Sequence, residues 1–409
     1  MRTRTFVSAL AIGALVVPLT SAMSAPAAPQ GRPCTAQWQL VPTPEQTTGL
    51  VEARTVSAIS GKDVRISGSV NGTTSWSMTW NGRSITETST PSPGLRRSVD
   101  NVRSSSYASP EEGWLLLDLP PRADAGIDTA AHWQDGRWTL TPTAVPDDPV
   151  TGGVLQLMSV TSLAPDDAWA VGHRTDPQGL PLGLIEHWDG TRWTVADHPE
   201  ATARGTQLLD VTAVSPTDVW AVGQVSPETG GWTDSRPLVM RYDGSAWTTV
   251  STPEVPADRR PAKLSSVSVT DDGHVWAVGL QGAAESVFGQ PLILRHDGSG
   301  WQELPDPDIG DRVNVVGVYA TSEHDAWVVA THGDGAPSTL LHWDGTGWQS
   351  AEWPGPKLYG HRYYATDIAG TGPNDIWVSG AVARLEGTGG TMIPVTATPQ
   401  VAHLSCGRK

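Results

Sequence analysis

The residues best suited to bind a ligand lie in one short segment, Lys357–Tyr364 (KLYGHRYY), which contains Tyr359, His361, Arg362 and Tyr363. Phenol and imidazole groups donate and accept hydrogen bonds, and a guanidinium binds a carboxylate through two parallel bonds. This combination suits a polyol or a carboxylate. Anchoring of a loop onto the protein is the alternative interpretation of the same residues.

Polar side chains also lie in or next to other segments that are predicted to be long loops. ADRRPAK contains two adjacent arginines, and the complete set of these further candidates is His173, Gln224, Trp232, Arg259, Arg260 and His332. For the arginines, charge pairing on a solvated surface is the alternative. Together with Tyr359, His361, Arg362 and Tyr363, these residues form the predicted ligand-binding set.

Motifs for catalysis and for metal binding are mostly missing from the sequence. It contains no G-x-S-x-G, no H-E-x-x-H and no cysteine-rich metal spacing. Asp306, Asp308 and Asp311 alternate in a way that suits Ca²⁺, but the full calcium-loop pattern is not there. We therefore predict no metal and no cofactor. A carboxylate pair for glycoside hydrolysis stays open, because such pairs are distant in sequence.

The elements that position these residues are visible as an internal repeat. A phrase of the type D-[VA]-W-[AV]-V-G recurs, for example at 167–172 and 218–223, and its aligned central residues are 49–56 positions apart. Those central residues are Arg65, Trp114, Trp169, Trp220, Trp276, Trp327 and Trp377. Repeats of this length are typical of propellers.

Each repeat also contains a phrase such as HWDGTRW, which begins at His187. Asp-Gly between two alternating apolar runs predicts a β-hairpin with a type I′ turn. One unit then reads as four strands, for example LLDVTAV, VWAVGQ, PLVMRY and SAWTTV. Seven such units predict an all-β protein, a seven-bladed β-propeller with four antiparallel strands in each blade.

The repeated tryptophan is predicted to be a wedge that packs between neighbouring blades, in a chain with 19 Trp and only 2 Phe. The aspartates that precede it are predicted to cap their turns by accepting backbone N–H bonds. These are Asp167, Asp218, Asp325 and Asp375, and His274, which takes this place in blade five, is predicted to be structural.

The two ends of the chain complement each other. CTAQWQLVPTP aligns with a fourth strand, whereas PQVAHLSCG aligns with a third strand after which the sequence ends. The N-terminal segment is therefore predicted to complete the last blade and to close the ring. Cys34 and Cys406 would then face each other across a hairpin, so we predict a disulfide between them. Two free thiols are the alternative.

Residues 1–28 have the pattern of a secretory signal peptide, with a basic tip, an apolar run and small residues. We expect a cleaved leader, a single propeller domain over 34–409, and a secreted monomer. Cleavage would remove Arg2 and Arg4 and no acids, which takes the net charge from −16 to −18. This negative net charge argues against nucleic acid and anionic membranes as partners, because both are negatively charged.

On the D-[VA]-W-[AV]-V-G and H-W-D-G-x-x-W phrases, the chain resembles secreted bacterial β-propellers of the kelch-like, galactose-oxidase-central-domain and Asp-box kind. The resemblance implies the fold and no particular activity.

Strand direction places the tight turns of all blades on one face and the long, varied loops on the opposite face. Binding residues are commonly carried on such loops, so we expect the site around the channel mouth on the long-loop face. The predicted function is a secreted module that binds an extracellular protein or a glycan. The alternatives are a carbohydrate-active hydrolase or lyase with acids at the channel mouth, and an enzyme that tailors or cyclises a secreted metabolite.

Overall fold

The computed structural model describes residues 36–45, 49–72, 74–88, 90, 101–118, 129–144, 155–226, 232–282, 287–355, 360–388 and 391–406. The chain divides into two units, 1–35 and 36–409, and all described residues belong to the second. The predicted signal peptide therefore lies outside the described residues. No helix among the described residues is long and apolar enough to cross a membrane.

The described chain forms seven four-stranded antiparallel sheets, which are the seven blades. Blades one to three contain β2 (Val51–Ser60), β3 (Asp63–Val70), β4 (Thr74–Trp80) and β5 (Ile85–Thr88); β6 (Asn101–Ser109), β7 (Glu112–Asp118), β8 (Thr129–Gln134) and β9 (Arg137–Pro142); and β10 (Leu155–Ala164), β11 (Asp167–Thr175), β12 (Pro181–Trp188) and β13 (Trp193–Val195).

Blades four to six contain β14 (Gln207–Ser215), β15 (Asp218–Val225), β16 (Arg236–Tyr242) and β17 (Trp247–Thr249); β18 (Ala262–Val269), β19 (Val275–Gln281), β20 (Gln290–His296) and β21 (Trp301–Glu303); and β22 (Val313–Ser322), β23 (Asp325–His332), β24 (Thr339–Trp343) and β25 (Trp348–Glu352). Blade seven contains β26 (His361–Gly372), β27 (Asp375–Thr388), β28 (Thr391–Ser405) and β1 (Gln37–Val41). Two short 3₁₀ helices, Trp232–Asp234 and Ala257–Arg259, lie between strands.

The ring closes through the N-terminal strand, as the sequence predicts. β1 is the outer strand of blade seven and pairs with β28, from Gln37 opposite Ser405 to Val41 opposite Val401. The first strand of each blade contacts the first strand of both neighbouring blades, so these seven strands enclose a central channel. The predicted seven-bladed propeller is therefore confirmed.

The hairpin turns use two geometries. Asp135 and Gly136 in blade two both have positive φ, of 52° and 72°, as the predicted type I′ turn requires. In blades three to six the aspartate instead accepts backbone N–H bonds from the two residues after the glycine; Asp243 Oδ1 lies 2.9 Å from the amide of Ser245 and 3.0 Å from that of Ala246. These turns are Asx turns, which correct the prediction of type I′ geometry there.

The glycine of the repeated phrase allows two strands to approach closely. A Cβ on Gly172 would lie 2.0 Å from the carbonyl oxygen of Gln156, and Gly68, Gly223, Gly279 and Gly380 meet the first strand of their blades in the same way. At this level the first strand has a β-bulge in every blade. Leu117 and Ala330 occupy the equivalent position in blades two and six, so glycine is the commonest residue at this position and not an invariant one.

The aspartate of the repeated phrase bonds side chains across the blade and is not the predicted turn cap. Asp325 lies 2.7 Å from Nε2 of His342, a residue of the third strand, and that imidazole stacks on Trp327 at 4.5 Å. The pairs Asp167–His187 and Asp375–His403 repeat this arrangement, and Asp218 bonds Arg241 at 2.8 Å. The histidine of H-W-D-G is therefore a structural residue.

The wedge tryptophans are buried between blades, which confirms their predicted packing role. Trp114, Trp276 and Trp377 have no exposed surface. Burial of one indole removes about 150–250 Å² from water. At about 25 cal/mol/Å², this stabilises the fold by up to roughly 4–6 kcal/mol for each residue.

We predict that Cys34 and Cys406 form a disulfide. Cys34 lies outside the described residues, but Cys406 directly follows Ser405, which pairs with Gln37. A bridge here would close almost the whole chain into one loop, which adds up to about 5 kcal/mol of stability. Non-reducing peptide mapping by mass spectrometry should find the cross-linked peptide. Two free thiols would contradict this prediction.

We predict that Gly172→Ala lowers the free energy of unfolding by about 1–3 kcal/mol, because the obstructing atom is a backbone oxygen that cannot move aside. Gly347→Ala is the matched control, since nothing lies within 4 Å of its Cβ position. Urea denaturation should show a large loss for the first variant and almost none for the second. Equal losses would refute the close-approach explanation.

Candidate binding site at the channel mouth

The bulges bring seven polar side chains to one level of the channel. Each belongs to the first strand of its blade and stands two residues before the bulged residue; the set is Glu52, Asn101, Gln156, Gln207, Lys263, Asn314 and Tyr364. All seven are partly exposed. In every blade the next residue along the strand is buried, so strand alternation turns these side chains to the opposite, open side, towards the channel that the first strands enclose. We call this set the mouth ring.

The mouth ring lies towards the long-loop face. Its residues precede the bulge, so they lie near the beginning of the first strand, where the connection from the preceding blade arrives. The turns at the other end of these strands are short, for example the two residues between β14 and β15. The structure therefore places a polar ring at the mouth where the sequence predicts a site.

A compact charged cluster joins blades seven and one in the mouth ring. Glu52 accepts a hydrogen bond from the hydroxyl of Tyr364, and its other oxygen lies 2.7 Å from Nη2 of Arg54. Burial, followed by the bond to Glu52, raises the pKa of the Tyr364 phenol, so it stays protonated as the donor. The positive charge of Arg362 acts on the same phenol. Arg362, a predicted site residue, is thus part of this cluster.

Two other predicted residues lie directly behind the mouth ring. His173 pairs with Gln156 in the sheet, and burial together with the charge of Arg103 lowers its pKa to about 4. Its imidazole is therefore neutral at physiological pH. Gln224 donates from Nε2 to Oε1 of Gln207 at 3.0 Å. Both side chains support the mouth ring from the second strand of their blades.

Several buried polar atoms around the mouth have no hydrogen-bond partner among the described residues: Arg54 Nε, Asn101 Oδ1, His173 Nδ1 and Gln224 Oε1. Buried polar atoms in folded proteins are almost always bonded to protein, water or a ligand. These four atoms belong to blades one to four.

The remaining residues of the predicted binding set are buried, have local partners or lie outside the described residues. Tyr363 is only 4% exposed and belongs to a core cluster, which excludes it as a surface contact and corrects that prediction. His361 lies at the start of β26. Arg259 pairs with Glu303, Arg260 bonds the carbonyl of Val255, and His332 bonds Thr339. Tyr359 and the side chain of Trp232 lie outside the described residues.

The predicted alternation of acids at 306–311 forms a local turn, in which the amide of Asp308 donates to Oδ1 of Asp306 at 2.9 Å. Within the described ranges, no three His, Cys, Asp or Glu side chains are grouped as metal ligands.

Two acids deeper in the channel were missed by the sequence analysis. Asp210 and Asp367 occupy the position directly after the bulged residue in blades four and seven. Oδ2 of Asp367 accepts the amide of Val56 in blade one at 2.9 Å, and Oδ2 of Asp210 accepts that of Val267 in blade five at 2.8 Å. Each carboxyl therefore joins its own blade to the next. Alignment of the first strands would have shown these positions.

The two channel acids have unusual titration behaviour. Burial raises the pKa of Asp367 to about 7 despite two bonds from backbone amides, and the charge of Asp210 adds to this rise. Burial also raises the pKa of Asp210, against the effect of its bonds to Ser159 and to backbone amides. Both residues are only partly exposed.

No protein-family model matches the chain, and no curated protein matches it. Among solved structures, YCF48 from Cyanidioschyzon merolae is 13% identical with a TM-score of 0.54, over 90% of this chain and 98% of that one. A six-bladed fucose-recognising lectin from Aleuria aurantia is 13% identical, with a TM-score of 0.46 and coverage of 75% and 97%. An α-L-arabinofuranosidase from Fusarium graminearum is 11% identical, with a TM-score of 0.45 and coverage of 74% and 93%. At these identities the similarity concerns the β-propeller fold alone.

We predict that Asp367→Asn flattens the pH dependence of stability. An acid whose pKa is about 7 in the folded protein, against an ordinary value of 3.8, binds its proton more tightly when folded. Its contribution is therefore fully present below about pH 4 and is lost as the pH rises through about 7. Thermal unfolding between about pH 5 and pH 8 should show a decline that the variant reduces.

Asp243→Asn is the control for this experiment. The bonds from Ser245 and Ala246 lower the pKa of Asp243 to about 2, so it does not titrate in that range. The control should retain the pH dependence of the unmodified protein. If Asp367→Asn retains it as well, the assigned titration is wrong.

Proposed function

We propose that this protein is an exported binding module that takes an anionic, polyhydroxylated ligand, such as a glycan containing uronic acids, at the mouth ring. The observation that carries the proposal is the convergence of seven polar side chains beside four buried polar atoms without partners. A ligand rich in hydroxyl groups supplies both the donors and the acceptors that these atoms need.

Charge supports an anionic ligand. The whole chain has a net charge of −16. At the mouth, by contrast, the first strands contribute four cations and one acid, while two further acids, Asp210 and Asp367, lie deeper in the channel. The cations are Arg54, Arg103, Lys263 and Arg362, and the acid is Glu52. A cationic mouth in an acidic protein attracts an anion to this opening and away from the rest of the surface. Guanidinium groups bind carboxylates through paired, charge-assisted bonds.

The mouth ring also supports selectivity for a sugar. Asn101, Gln156, Gln207 and Asn314 are amides, which both donate and accept hydrogen bonds. Glu52 is already engaged by Arg54 and Tyr364, so its charge is largely compensated. The opening thus combines cationic groups for a carboxylate with neutral groups for hydroxyls.

Export is the second part of the proposal and rests on the leader-like residues 1–28. It implies an extracellular ligand and an oxidising compartment, in which the proposed Cys34–Cys406 bridge is stable. A relationship to the kelch-like and Asp-box propellers of bacteria rests on the repeated phrases and is part of the same proposal.

A carbohydrate hydrolase is the second candidate, favoured by the pKa of about 7 of Asp367, which suits a general acid. Against it, both oxygens of Asp367 accept backbone amides, from Val56 and from Ile368. Asp210 is occupied in the same way. These bonds give both acids a structural role, so binding without cleavage is the better-supported function.

We predict that the double variant Arg103→Gln/Arg362→Gln weakens binding of oligogalacturonate by at least about tenfold. Isothermal titration calorimetry should also show that the unmodified protein prefers this acidic oligosaccharide to its neutral galactose counterpart, and that added salt weakens binding.

Arg192→Gln is the matched control, because Arg192 is an exposed arginine of a tight turn that pairs with Asp189. This control should bind as the unmodified protein does. Equal affinity for acidic and neutral oligosaccharides would refute the anionic ligand. Release of shorter products that Asp367→Asn abolishes would favour the hydrolase.

A further inference from the structure

We propose a second binding site, independent of the channel, in the seam between blades one and two, where a neutral sugar ring binds against aromatic side chains. The proposal starts from a break in the repeat. At six seams, the wedge tryptophan of one blade packs against an aromatic residue of the next. The observed pairs include Trp114–Trp193, Trp169–Trp247, Trp220–Trp301, Trp327–Trp38 and Trp377–Trp80, and Trp276 shares a core cluster with Trp343.

The seventh seam has Arg65 in the wedge position. Asp63 binds this guanidinium through two bonds, of 2.6 and 2.9 Å, and the carbonyl of Pro110 accepts a third at 3.3 Å. An arginine side chain is slimmer than an indole, and here these bonds hold its head in place. The guanidinium carbon lies over the rings of Tyr107 and Trp133, 5.5 and 5.9 Å from their centroids, and it fills only part of the space that an indole fills at the other seams.

A cavity of about 340 Å³ occupies this seam. Its lining combines aromatic, aliphatic and hydroxyl groups: Arg65, Ser77, Met78, Thr79, Thr88, Tyr107, Trp133 and Trp138. This volume is at the lower end of the range of about 300–1,000 Å³ for small-molecule pockets. It suits one small ring and excludes a long chain.

The aromatic side of the cavity is rigid and accessible. The indole of Trp133 donates to the carbonyl of Pro110 at 2.9 Å, and its centroid is 5.3 Å from that of Trp138. Both indoles are partly exposed, whereas their counterparts in blade three, Trp188 and Trp193, are 5% and 4% exposed. Blade two therefore presents indole surface that blade three buries.

The chemistry of the lining selects a neutral sugar. The charges of Arg65 and Asp63 compensate each other, so the site does not favour an ion. The C–H groups of a pyranose ring are attracted to the negative face of an aromatic ring, and its hydroxyls bond to polar groups at the rim. Here the rim offers Ser77, Thr79 and Thr88, together with Nη1 of Arg65, which has no hydrogen-bond partner among the described residues.

The test variant replaces Arg65 by the tryptophan that the other blades have at this position. In Arg65→Trp, an indole takes the wedge position and fills the cavity. The probes are the methyl glycosides of glucose, galactose and mannose, and binding is followed by tryptophan fluorescence and by saturation-transfer NMR. We expect at least one glycoside to bind the unmodified protein saturably. In Arg65→Trp, affinity should fall by at least about tenfold.

Trp138→Ala provides a second route if Arg65→Trp does not fold, because it removes one aromatic face and should also abolish binding. Trp348→Ala is the matched control, since Trp348 is a partly exposed fourth-strand indole of blade six, away from this seam. It should keep the affinity. Arg103→Gln/Arg362→Gln should keep it too, which separates this site from the channel mouth.

Three outcomes would overturn the proposal. One is unchanged affinity of Arg65→Trp or Trp138→Ala for a glycoside that the unmodified protein binds. Another is saturable binding of an apolar peptide at this seam in place of every glycoside. The third is the absence of binding by all three glycosides.

Discussion

The innermost strand of each blade has one edge that pairs with no other strand, and side-chain bonds to this edge join neighbouring blades together with the packing of the wedge tryptophans. Side chains directly after the bulge accept the amides of the next blade: Ser104 that of Val160, Ser266 that of Val318, and Asp367 that of Val56. An unpaired edge would otherwise be a site for pairing with other chains. The bulge therefore positions two sets of residues, the seam acceptors and, three residues earlier, the mouth ring.

Much of the fold was predictable because the sequence repeats it seven times. A single Trp-Ala-Val-Gly phrase would be ambiguous, but its recurrence with an Asp-Gly hairpin fixes strand number and blade number together, and the incomplete last unit requires the N-terminal strand. The role of the repeated aspartate was not predictable. Its histidine partner stands about 20 residues away, as Asp167 and His187 do. From the sequence alone, capping of the local turn would explain the aspartate equally well.

The candidate site was predicted in position but only partly in its residues. Arg362, His173 and Gln224 do lie at or behind the mouth, because long loops and the beginnings of the inner strands share one face. Tyr363 did not fit, because alternate residues of a strand point to opposite sides, and it enters the core while Tyr364 faces the channel. Most of the mouth ring was missed, since Asn101, Gln156 and Asn314 are ordinary strand residues until the seven first strands are aligned on their bulges.

Positions at which one blade differs from the others distinguish the residues of the scaffold from the candidate binding residues. Positions that keep the same residue type in most blades, such as the wedge tryptophan, are buried between blades, so they are not accessible to a ligand. Arg65 departs from this pattern, and a cavity of about 340 Å³ accompanies it. The mouth ring departs in another way, because seven equivalent positions keep polarity while differing in charge and size. Seven identical blades would present the same side chains seven times around the channel. The ligand specificity that we propose therefore depends on positions at which the blades differ, namely Arg65 and the asymmetric cations of the mouth.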